Sequence, residues 1–139
     1  MRTTVVEKLR ARIQAYSDFA ATLDAADLGA RLGVNKDKTI AEHLWCIVGA
    51  RESYAKALTA GKWGGFACSM TSYDQHSFVH ALASSARALL ASIDDVVEWT
   101  SEHDRLLADV SEHEVMHQGQ IIRHMYGLDR ELPKNWKWA

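Results

Sequence analysis

The chain has 139 residues, 47% apolar and 24% charged, which suits one domain with a real core and excludes both a two-domain enzyme and a disordered or fibrous chain. Sixteen Lys and Arg against eighteen Asp and Glu leave a net charge of −2 with no basic run, so nucleic acid is not an expected partner. No stretch approaches the roughly 18 apolar residues of a membrane span, and charge returns at Glu7 before any apolar leader develops. The expectation is therefore no membrane partner and a cytoplasmic location.

In chain order, Val6, Leu9, Ile13, Tyr16, Ala20 and Leu23 recur in steps of three and four and predict a first helix over 4–24. Thr39 and Glu42 form a Thr-x-x-Glu capping box that opens a second helix, striped by Ile40, Leu44, Ile47, Tyr54 and Leu58 and stopping near Gly61. A third helix is expected from a Ser72/Gln75 cap to about residue 98, with Phe78, Leu82, Ala86, Leu89, Ile93 and Val97 on its apolar side. A fourth is expected over 101–125, closed by a left-handed cap at Gly127. No strand-like alternation appears. The fold class predicted is all-α, a four-helix bundle, with residues 1–139 as a single domain.

The last helix carries the chemistry. At ~100° per residue, Leu106, Val110, His113, His117, Ile121 and His124 fall within roughly 60° of one another, so three histidines share the apolar face. His113 and His117, one turn apart, can aim both rings at one metal ion; the bland alternative is that each is satisfied by a neighbouring hydrogen bond. The segment also spells His-Glu-x-x-His, in which Glu114 would be the base of a zinc protease. That pattern's extension needs Gly and His where the chain has Gln120 and Arg123, so the protease reading is set aside and Glu114 is expected in solvent. A third ligand must come from helix 2. His43 lies ~60° from the centre of its apolar stripe and Cys46 ~120°, and both stay open as donors.

Three segments, TIAEHLWCIVGARESY (39–54), SEHEVMHQGQII (111–122) and the tail LPKNW (132–136), together resemble the DinB-like metal-binding four-helix proteins, a family that includes bacillithiol- and mycothiol-dependent transferases. The resemblance implies His113 and His117 as metal ligands, with the third ligand at the position of Cys46 and His43 one turn earlier. It implies that Gly119 permits close packing beside the site, and that the protein is a homodimer. The expected cofactor is a divalent metal ion, zinc first, with nickel or manganese as alternatives; a thiolate ligand favours zinc. The implied activity is a metal-dependent thiol transfer or hydrolysis on a small electrophile, with a small-molecule thiol as partner. The alternative is a non-catalytic, dimeric, stress-associated binding module whose metal site is structural or lost.

Other residues have plainer readings. His76 and His80 fall off the apolar stripe of helix 3 and are expected to be exposed. Arg51, on the inner side of helix 2, calls for a carboxylate or an anionic ligand. Trp63 and Phe66, in the Gly-rich loop after helix 2, either plug the bundle end or cover a pocket, and Trp136 and Trp138 are expected to pack across the bundle. A Cys46–Cys68 disulfide is not expected.

Overall fold

A computed structural model describes residues 1–139 as four long helices and one short one, with no strand. These are α1 (Arg2–Ala20), α2 (Ala25–Gly29), α3 (Ile40–Ala60), α4 (Gln75–Asp94) and α5 (Ser101–Gly127). The all-α expectation holds. No helix is long and apolar enough to cross a membrane.

Local chemistry explains most helix ends. The Thr39 hydroxyl accepts from Glu42 N (3.1 Å) while the Glu42 carboxylate accepts from Thr39 N (2.7 Å), so two orphan donors of the first turn are satisfied reciprocally. That backbone bond holds the Glu42 carboxyl below its ordinary range. At the other end of α3, Gly61 takes the left-handed conformation (φ 68°) that closes the helix.

Four boundaries differ from the sequence reading: α1 ends at Ala20, so Leu23 of its expected stripe lies beyond the helix. Helix α4 is capped by Asp74, whose carboxylate accepts from Ser77 N at 2.9 Å, rather than by Ser72. It ends at Asp94, so Val97 lies beyond it, fully exposed, and belongs to no stripe. Gly127 is the last residue of α5 and is not its left-handed cap; the positive φ falls on Asp129 (54°). Gly127 is small for another reason: a Cβ there would lie 2.6 Å from Leu32 Cδ2. The short helix α2 was not expected, although Asp24 and Asp27 form a reciprocal capping box.

Packing runs as a ring of contacts, α1–α4–α3–α5–α1, with α2 against α3. The interior splits into two apolar clusters. One joins Tyr16, Phe19, Leu44, Ile47, Phe78, Ile121 and Trp136; the other joins Leu9, Leu58, Leu89, Leu106 and Val110. On α3 the first cluster ends at Val48 and the second starts at Ala55; on α5 they are separated by residues 111–120. That gap is a polar layer in which Arg51, Glu114 and His117 are buried.

The tail packs as expected in part. Trp136 is buried, donates Nε1–H to Ala15 O (2.9 Å) and meets Tyr16 edge-on, whereas Trp138 is exposed. Trp63 and Phe66 stack on Tyr54 and Trp45 of α3, with Phe66 and Cys68 filling the space a side chain at Gly49 would need. Both cysteines are free.

Candidate metal centre

The centre of the polar layer is an ion pair. Arg51 donates Nε–H and Nη2–H to the two carboxylate oxygens of Glu114 (2.6 and 2.9 Å), and both side chains are completely buried. The guanidinium also donates to Leu82 O (3.3 Å) and lies 5.4 Å over the Tyr16 ring, while Tyr16 Oη donates to the Glu114 carbonyl (2.8 Å). Burial, with the nearby Glu114 charge, raises the Tyr16 phenol well above its ordinary pKa. Expecting Glu114 in solvent is therefore wrong, because a single long helix offers no view of the guanidinium arriving from α3. Both carboxylate oxygens are engaged, so Glu114 is also unavailable as the base of a His-Glu-x-x-His protease. Arg51 has the internal carboxylate partner expected for it.

The histidines lie beside this pair. His43 Nδ1 and His117 Nδ1 are 3.0 Å apart, with ring centroids 5.2 Å apart, and the His113 ring is 4.5 Å from that of His117. His43 and His117 are buried, whereas His113 is partly exposed yet keeps its Nδ1 buried and without a hydrogen-bond partner. Burial lowers the His43 pKa to about 4, assisted by the Lys38 charge, and lowers His117 to about 3, assisted by His113 and His43. Burial also lowers His113. All three rings are neutral at neutral pH. The close Nδ1 pair then has one ring donating and one accepting.

The structure thus puts His117 beside both His43 and His113. It places Cys46 differently: the partly exposed thiol lies 3.8 Å from Lys38 Nζ and shares no hydrogen bond with the rings. As placed, no group of three or more His, Cys, Asp or Glu side chains is positioned so that it could hold a metal ion. His124 is buried but serves another purpose, since its Nε2 bonds Ala30 O (3.1 Å) and its Nδ1 lies 3.8 Å from Asp37, fastening the loop before α3 to α5. His76 and His80 are exposed.

A cleft of about 510 Å³ opens beside His43, between residues 32–38 and the outer face of α5. Gly119 lines it, and an added Cβ would meet open space, so close packing is not why this glycine is tolerated. Lys36, Lys38 and Arg123 also line the cleft, and the sequence reading missed all three. A signal existed for the lysines: they precede the Thr39 cap, and His43 sits in the first turn after it, so helix geometry places them near that ring. No protein-family model matches this chain, and no curated protein matches it.

Proposed function

We propose that this chain is a DinB-like four-helix bundle that holds one divalent metal ion through His43, His113 and His117 and acts on a small electrophile by thiol transfer or hydrolysis. The observation that carries the metal assignment is the pair of buried imidazole nitrogens 3.0 Å apart, with the His113 ring, whose Nδ1 is buried and unpartnered, against that of His117. Two nitrogen ligands at ~2.0–2.1 Å from a tetrahedral ion stand about 3.3 Å apart, so separating the Nδ1 pair by a few tenths of an ångström opens the required edge. The ring geometry favours His43 as the helix α3 donor, with Cys46 as the alternative.

The protein's own groups suit that task. Depressed basicity keeps the imidazole lone pairs free of protons at neutral pH, and the Arg51–Glu114 bridge fixes α3 against α5, the two helices that carry the donors. Three imidazoles leave coordination open for a substrate. When bound, a divalent ion supplies Lewis acidity that lowers the pKa of a thiol or a water molecule. Zinc suits three imidazoles, with nickel or manganese as alternatives.

One observation favours the second reading, a non-catalytic and dimeric module: the 3.0 Å contact between His43 and His117 already satisfies one nitrogen of each ring without an ion. Metal content after loading with zinc, nickel or manganese separates the two. We expect one equivalent in the wild type, lost in His113→Ala/His117→Ala. In His43→Ala the affinity should fall by more than the roughly 10–100-fold typical of losing an outer-shell partner. Cys46→Ser should retain it. Stoichiometric metal in the double variant overturns the assignment. A loaded protein that consumes no electrophile with any abundant low-molecular-weight thiol, and hydrolyses none, supports the binding module instead.

A further inference from the structure

The cleft beside His43 has a charge pattern that metal binding does not require. Its rim carries Lys36, Lys38 and Arg123, none of which takes part in an ion pair. Other cations at the same end of the molecule are paired, Arg31 with Glu42 and Arg130 with Asp27. The only carboxylate lining the cleft belongs to Asp37, and it is turned inward, with a side chain 8% exposed. Its Oδ2 accepts from Leu32 N (2.6 Å) and Gly33 N (3.0 Å), and its other oxygen faces His124. Asp37 is therefore spent on folding the loop and cannot reach out to neutralise the lysines on either side of it.

That loop is a held structure. His124 anchors it at Ala30, and Arg31 donates to the Asp37 carbonyl (2.7 Å). Lys36 takes a left-handed backbone (φ 59°), which an ordinary side chain adopts only under the constraint of its surroundings. The result is a positive mouth on a chain of net charge −2, opening at a buried histidine. Concentrated charge of one sign in a concave wall attracts ions of the opposite sign. At about 510 Å³ the space falls in the ~300–1,000 Å³ range of small-molecule sites.

We propose that this cleft is an anion-binding subsite, in which Lys36, Lys38 and Arg123 seat the carboxylate or phosphate group of a small molecule whose remainder reaches His43. The placement of the reacting end rests on the metal-site reading above; the binding of the anion does not.

The test titrates inorganic phosphate, succinate and, as the neutral counterpart, succinamide into metal-free and zinc-loaded protein, followed by calorimetry and amide chemical shifts. Saturable binding of phosphate or succinate to the metal-free protein is expected, with shifts at residues 32–38 and 119–123. The tighter of the two identifies the group. In the surface variant Lys36→Gln/Lys38→Gln/Arg123→Gln, binding should weaken by about 10-fold. Arg10→Gln/Arg87→Gln, exposed on α1 and α4 and outside the cleft, should leave it unchanged. Equal binding of succinamide, equal loss in the control variant, or no saturation by either anion overturns the subsite. Anion binding seen only with zinc and undiminished in the triple variant places the anion on the metal and also overturns it. Zinc uptake without anion binding rejects this subsite and spares the metal site, and anion binding without zinc uptake does the reverse.

Discussion

At the scale of single residues, the Arg51–Glu114 pair shows how strongly a polar group depends on its partner. Both groups are fully buried, and each is tolerable only because the other satisfies it. Truncating one leaves an unpaired charge in the interior, so Arg51→Met and Glu114→Leu should each cost about 3–5 kcal/mol in urea denaturation. The double variant should recover much of that loss, because two apolar side chains of similar volume need no partner. Additive losses in the double variant would mean that the pair is not energetically coupled. The same dependence explains why Glu114 was misread from its position alone. Its place on α5 was legible, but its neighbour on another helix was not.

At the scale of elements, two glycines of α5 carry opposite consequences. Gly127 is in contact with Leu32, where a Cβ would stand 2.6 Å from Cδ2, so Gly127→Ala must push the 30–38 loop outward. A cost of about 1–3 kcal/mol is expected, as for other overpacked sites. Gly119 sits mid-helix, and a Cβ there meets nothing within 4 Å, so Gly119→Ala should stabilise by up to about 1 kcal/mol through helix propensity. Thermal unfolding of the two variants should therefore move in opposite directions. A stabilised Gly127→Ala would contradict the close approach of loop and helix. The α3 capping box was legible because it is written within four consecutive residues. The end of α5 was not, because Gly127 answers to a loop ninety-five positions earlier in the chain, at Leu32.

At the scale of the whole molecule, the histidine cluster couples folding to pH. In the metal-free protein His43 and His117 titrate at about 4 and about 3, below the ordinary 6.5 that they regain on unfolding. Below 6.5 the unfolded chain binds protons that the folded chain refuses, so stability is complete above that value and is lost as pH falls toward 4 and 3. By pH 5 the loss should reach roughly 2 kcal/mol per ring. The lowered carboxyls, such as those of Glu42 and Asp74, act only nearer their own ordinary values of 4.5 and 3.8. Denaturation midpoints between pH 7.5 and 5 isolate the histidines, and His43→Gln/His117→Gln should reduce the dependence to the part left by His113. A flat wild-type profile would show that the rings are not held neutral.

Periodicity and capping alone determined that this protein is helical, where its long helices run to within a few residues, and that His113 and His117 share a face. Those properties are set by neighbours three or four positions away, and the chain states them directly. Tertiary packing decided the rest: that His43 rather than Cys46 meets His117, that Glu114 closes on Arg51, and that His124 anchors a lysine-bearing loop instead of joining the cluster. Helix rotation, fixed by the summed fit of two apolar clusters, settles which side of α3 faces α5, and the roughly 60° between positions three apart separates a buried imidazole from a half-exposed thiol.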